Sequence, residues 1–167
     1  LRALAALRGE IKGVKKPLVV ASIRAATQAT LERAAFDSST HLLSVRDRIN
    51  PEAQVRQWLD MGYSHEPTVE IPGTISRRGG ILDIFPVSRD RPVRIELFDD
   101  EIETIRHFDP GTQRSTVKIR SITIPPARET LPRLASEDRV QELLGAMELI
   151  GTSEEAQRRI PSDLSQM

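Results

Sequence analysis

The sequence predicts an α+β fold: a mostly antiparallel sheet domain covered on one face by a helix, and flanked by parts of an α/β domain. Three observations predict it. Between residues 68 and 124 apolar runs follow one another across Pro-, Gly- and Asp-containing turns, with no helical segment between them. One well-signalled helix, residues 51–61, precedes those runs. Before residue 41, a short apolar run at 18–21 leads into a stretch of helical composition, the order of an α/β unit.

The elements can be justified in order. Leu1, Leu4, Leu7 and Ile11 recur at three- and four-residue steps, which predicts a helix over 1–11 that Lys15-Lys16-Pro17 breaks. Leu18-Val19-Val20-Ala21 reads as a buried parallel strand, and 25–35 as helical. Leu42-Leu43-Ser44-Val45 reads as a strand. Asn50 is an N-cap with Pro51 at the first helical position, Val55, Trp58, Leu59 and Met61 form the apolar side, and Gly62 ends the helix. Residues 68–78 read as strand, with Pro72-Gly73 making it two short pieces or one with a bulge. Residues 80–85 follow. Residues 93–98 and 101–108 pair across the turn Asp99-Asp100, and 116–124 is the last strand after Asp109-Pro110-Gly111. Pro125-Pro126 and Pro132 bracket a linker. A helix starts at Ser136-Glu137-Asp138, runs through Leu143, Leu144, Met147 and Ile150, and stops at Gly151. The polar tail 152–167 is left unassigned.

Composition narrows the function classes. The 167 residues suit one ordinary domain or two small ones, and aromatics are only 4%, so the core relies on Leu, Ile, Val and Ala. Charged residues make up 29% with both signs equal; a net charge of zero speaks against a dedicated nucleic-acid module, which shows a basic face. The absence of cysteine excludes disulfides and thiolate metal sites. With no signal peptide and no apolar run of about 20 residues, a soluble cytoplasmic protein with no membrane partner is the expectation. Leu1 at the start and Met167 in mid-phrase suggest a piece of a longer chain, although a trimmed terminus gives the same ends.

No pattern in the chain is catalytic. The two main phosphate-cradling loops are absent, and Gly79-Gly80 is flanked by strands rather than a helix N-terminus, so its role is backbone freedom or close chain approach. His41, His65 and His107 lack the spacing of metal ligands, and no serine sits in a nucleophile elbow. No cofactor is expected in this fragment. Binding residues are better signalled. Along 93–98 side chains alternate, so Val93, Ile95 and Leu97 face the core while Arg94, Glu96 and Phe98 face away. Arg and aromatic residues dominate interface energetics. Two placements remain open for Phe98: exposed as an anchor, or folded back into the core beside the turn. Arg77 and Arg78 must face opposite sides, pairing with acids such as Glu70 or Glu96, or offering a bidentate contact to a partner.

These residues carry a resemblance. Gly62-Tyr63, Glu70-Ile71-Pro72-Gly73, the run from Arg78-Gly79-Gly80 to Ile84-Phe85-Pro86, the run from Pro92-Val93-Arg94 to Ile102-Glu103, Phe108-Asp109-Pro110 and Gln113-Arg114-Ser115 are similar in series to the UvrB-homology module of the bacterial transcription-repair coupling factors (Mfd). The match covers 42–132, and its last two motifs look more like the coupling factors than UvrB. The resemblance implies a UvrA-binding sheet domain, like the second domain of UvrB, at 42–130. Residues 1–41 would end a first α/β subdomain of degenerate helicase type, and 131–167 would be the helical start of its return. It implies a non-catalytic module that recruits UvrA to stalled RNA polymerase in transcription-coupled nucleotide excision repair. The full-length protein would be an ATP-dependent DNA translocase that meets RNA polymerase and DNA through other parts. The family's partner-binding residues carry over to Arg78, Arg94 and Phe98, with the two arginines contacting acidic groups of UvrA and the phenylalanine as apolar anchor. Replacing them is expected to leave the fold unharmed. Leu97 departs from the family, which often has a second Phe there. The alternatives are a fragment of the UvrB subunit, whose Walker A lysine and aromatic hairpin this chain lacks, and a stand-alone DNA-binding domain.

Overall fold

The computed structural model of the chain describes residues 2–7, 18–27 and 30–128. Three short helices come first: α1 (Arg2–Leu7), α2 (Ile23–Ala26) and α3 (Arg33–Ser38). Then follow β1 (His41–Ser44), α4 (Pro51–Asp60), β2 (Ser64–His65), β3 (Thr74–Arg78), β4 (Ile81–Ile84), β5 (Val93–Phe98), β6 (Glu101–Phe108), β7 (Ser115–Ile119) and β8 (Ser121–Ile124).

Six strands form the main sheet in the order β2-β3-β4-β5-β6-β7, antiparallel throughout except for the two-residue parallel pairing of β2 with β3. Sequential order is what a run of strands without crossover helices dictates. A separate two-stranded ladder joins β1 to β8. Helix α4 starts where expected, with the Asn50 side chain accepting from the Glu52 and Ala53 N–H groups, each at 3.0 Å. Gly62 at φ 87° lies just past its end. Gln54 and Trp58 are the buried residues of the helix, and Trp58 with the C-cap Met61 joins Ile75, Leu82, Ile84, Val93, Ile95, Ile102 and Ile105 in one core. The Tyr63 hydroxyl donates to the Pro125 carbonyl at 2.8 Å and the Ala127 N–H to the Met61 carbonyl at 2.8 Å, so the end of the module is latched to the helix end. A second, smaller apolar group of Val69, Phe85 and Phe108 is buried apart from that core.

Several expectations are corrected. Residues 18–21 are not a buried strand but irregular and solvent-facing, with Leu18 91% exposed; among the described residues no strand lies alongside to take up their backbone hydrogen bonds. Within the helical stretch 25–35 there are two short helices instead. Thr27 bonds back to the Arg24 carbonyl at the end of α2, and α3 begins only at Arg33. Of 68–78 only β3 is strand. The last strand, 116–124, is split at Arg120 because its first half pairs with β6 and its second with β1. Leu59 is turned outward and Gln54 takes the buried place on α4. The helix over 1–11 is seen as α1; its remainder, the 125–132 linker beyond Arg128, and the helix and tail at 136–167 lie outside the described residues.

Candidate partner-binding face

Antiparallel pairing puts Ser76, Asp83, Arg94 and Arg106 in one cross-strand row, and Arg78, Ile81, Glu96 and Thr104 in the next. Paired residues share a face, and so do residues two apart on one strand. Arg78, Asp83, Arg94, Glu96 and Phe98 therefore all lie on the face opposite α4. The two neighbouring arginines divide as the alternation requires. Arg77 reaches over the core side to Glu52 on α4 at 3.3 Å, while Arg78 lies on the outer face. Neither pairs with Glu70 or Glu96.

Both strand ends of interest are set by two-residue turns at the same end of the sheet. Gly79-Gly80 joins the paired residues Arg78 and Ile81, and Asp99-Asp100 joins Phe98 and Glu101. The first loop residue has positive φ in each, 61° at Gly79 and 58° at Asp99, a conformation open to Gly and tolerated by Asp. At Gly80 a Cβ would lie 3.1 Å from the Leu97 carbonyl oxygen, so close chain approach accounts for the second glycine. The Asp99-Asp100 hairpin is braced by the loop before α4. The Ile49 N–H donates to the Asp100 carbonyl, the Ile102 N–H to the Asp47 carbonyl and the Arg46 N–H to the Ile102 carbonyl, at 2.8, 2.9 and 2.8 Å. Sequence reasoning missed this brace, since nothing in 45–49 signals pairing with a segment so distant in the chain.

Phe98 stands on that hairpin 77% exposed, in contact with a shallow recess of about 370 Å³ lined with Arg48, Asp99, Asp100, Glu101 and Glu103. Of its two sequence placements the exposed one is found. Arg78, ending β3, is 53% exposed, and its Nη2 donates to Asp83 Oδ2 at 2.8 Å. From strand spacing and rise, Arg78 and Phe98 are roughly 12 Å apart.

Arg94 is placed differently. Its side chain is 13% exposed and lies against Asp83, which is 1% exposed. Nε donates to Oδ1 and Nη2 to Oδ2, both at 2.8 Å, a bidentate fork. Nη1 donates to the Gln113 carbonyl at 3.2 Å, and the guanidinium carbon sits 4.8 Å from the centre of the Phe108 ring. The hydrogen bonds from Arg94 to Asp83 push its pKa further up, outweighing the opposing effect of burial. The expectation that replacing Arg94 leaves the fold unharmed is therefore corrected: on this face it is the inner partner of a buried carboxylate. Asp83 itself was not singled out from the sequence. A charge inside the otherwise apolar run Ile81-Leu82-Asp83-Ile84-Phe85 was the signal, because an acid there must find a cation.

The comparisons with known proteins fall on this sheet. Residues 42–129, more than half of the chain, match the model of the UvrB interaction domain. The chain belongs to the UvrB interaction domain family. Its sequence is 38% identical over 126 residues to the transcription-repair-coupling factor of Bacillus subtilis, covering 75% of this chain and 11% of that protein. It is 44% identical over 87 residues to that of Staphylococcus aureus strain MRSA252, covering 52% and 7%. It is 43% identical over 81 residues to the UvrABC system protein B of Acinetobacter baylyi, covering 48% and 12%. The chain thus spans about a tenth of the length of the curated relatives it matches. The interaction domain takes in both turns, the Asp83 triad and Phe98, and the resemblance noted from the motifs holds for the same stretch.

Proposed function

We propose that this chain is a non-catalytic protein-interaction module of a transcription-repair coupling factor, and that it recruits UvrA to sites of stalled RNA polymerase in transcription-coupled nucleotide excision repair. The observation that carries the reading is the coincidence of the family match with an outer sheet face that presents a cation and an unburied aromatic at one edge. Arg78 offers charge-assisted bonds to an acidic group of UvrA, and Phe98 is the apolar anchor, the residue types that dominate interface energetics. Arg94 belongs to the same binding face. The module is the sheet domain of 42–130, with 1–41 and 131–167 belonging to the neighbouring helicase-like domain. ATP, RNA polymerase and DNA are handled by other parts of a cytoplasmic full-length protein.

A fragment of a UvrB subunit is the competing reading. The alignment with the coupling factor of B. subtilis is the longer, 126 residues against 81, which favours the coupling factor. Titrating purified UvrA into this chain by calorimetry tests the proposal, alongside an Arg78→Ala/Phe98→Ala double variant checked for fold by circular dichroism. Binding by the wild type and its loss in the folded variant is the expected result; a folded wild type that takes up no UvrA sinks the reading. Salt-dependent DNA binding by the isolated chain would instead favour a nucleic-acid module.

A further inference from the structure

Arg78 stands on the outer face with its guanidinium tied at one point. Among the described residues its side chain makes one hydrogen bond, Nη2 to Asp83 Oδ2 at 2.8 Å, and the side chain is half exposed. Asp83 is almost fully buried and receives three bonds from two arginines. Arg94 supplies two of those three, spends a further donor on Gln113 and covers one ring face with Phe108. A guanidinium has five N–H donors in a rigid fork. Arg78 keeps the outer ones free to meet a planar acceptor, whereas Arg94 has little surface left to offer.

We infer that Asp83 is a positioning residue for partner recognition, and that Arg94 acts on binding through Asp83 and Arg78 rather than by touching the partner. The inference rests on the reading of this face as the UvrA-binding surface. One carboxylate shared by two arginines leaves one positive charge in excess, and the geometry gives that charge to the exposed arginine. Arg94 neutralises Asp83 from below, so Arg78 is oriented by the carboxylate without being cancelled by it. The ligand group this arrangement fits is a carboxylate, taken by the outer edge of a single oriented fork. A flexible arginine at the same place would have to lose its rotamer freedom on binding.

The two routes for Arg94 predict different couplings. Residues that contact the partner independently have additive effects, and residues that act through one another do not. Because Arg94→Ala strands a buried charge, the test uses the paired replacement Asp83→Leu/Arg94→Met, which removes both charges at similar volume beside the apolar group of Val69, Phe85 and Phe108. Unfolding followed by Trp58 fluorescence checks its fold, and UvrA binding is measured by calorimetry. We expect the pair to weaken UvrA binding about 10- to 100-fold, as much as Arg78→Ala does. Adding Arg78→Ala to the pair changes affinity less than about twofold, while adding Phe98→Ala has its full separate effect. The Phe98 arm separates loss of positioning from general loosening of the face. Wild-type affinity in the folded pair overturns the inference, and so does a further full loss on adding Arg78→Ala. If the pair does not fold, Asp83→Asn/Arg94→Gln is read by the same criteria. A wild type that fails to bind UvrA overturns the functional reading itself, a result distinguishable from either.

Discussion

Arg94→Ala is expected to destabilise the module by about 3 kcal/mol, although alternation alone would call it a surface substitution. Asp83 is 1% exposed, and Arg94 makes two of the three hydrogen bonds it receives. Breaking a buried pair by removing one partner costs about 3–5 kcal/mol, because the remaining charge is left uncompensated. Arg78 still reaches Oδ2, which holds the loss toward the lower end, while the lost stack on Phe108 and the bond to Gln113 add to it. For a domain of about 100 residues, 3 kcal/mol lowers the melting temperature by more than about 10 °C. Trp58 is the single tryptophan and is fully buried, so its emission reports global unfolding. In urea, Arg94→Ala should shift the midpoint down at unchanged slope. Arg94→Lys should fall between the two, since lysine keeps the charge and loses the fork. An unfolding free energy for Arg94→Ala within about 0.5 kcal/mol of wild type would refute the reasoning and return Arg94 to the role of a free surface cation.

Phe98→Ala should behave in the opposite way. With Phe98 77% exposed, folding stability should change by less than about 0.5 kcal/mol, while UvrA affinity should fall by about 2–3 kcal/mol; a calorimetric titration showing undiminished binding would remove Phe98 as the anchor. Gly79→Ala meets open space but keeps φ 61°, so a loss of about 1 kcal/mol is expected from backbone strain alone, and an unchanged urea midpoint would contradict the turn geometry. Burial holds the His41 pKa below its ordinary 6.5, so the unfolded chain takes up the proton first as pH falls. His41 therefore contributes a stability that is complete above 6.5 and declines below it, down to the folded-state pKa. His41→Asn should flatten that part of the stability–pH curve, and curves that stay parallel for variant and wild type would count against it.

What the sequence made legible follows from which signals are local. The Asn50-Pro51 start of α4 and the glycine at its end are one-turn motifs, and they were found in place. The β5–β6 hairpin was legible because an apolar-alternating run and a second run with recurring apolar residues flank a two-residue acidic turn. The outward set Arg94, Glu96 and Phe98 followed from period two, and the structure keeps it despite the irregularity between Glu96 and Leu97. Alternation gives direction, not cover. It could not say that Phe108 and Gln113 close over Arg94 at one end of the outer face while Phe98 stays open at the other. Nor could it say that 18–21 would pair with no strand among the described residues, because a strand is a property of a pair.

The outer face is thus graded along β5. At the Val93 end it is a small second core, with Phe85, Phe108 and Val69 buried and Gln113 bonding across to the Val69 carbonyl. In the middle the Asp83 triad changes apolar cover into fixed charge. At the turn end Arg78 and Phe98 emerge, each one residue before a turn held by backbone geometry. Groups presented from strand ends and braced hairpins need little ordering when a partner arrives, so more of the contact energy survives as affinity. The same grading makes the residues unequal although they share one face. On the proposed reading, single substitutions at Asp83 or Arg94 act first on folding and those at Arg78 or Phe98 on direct recognition, with Asp83 as the group common to both. Binding data on any one of these residues are therefore interpretable only beside a measurement of folding on the same variant.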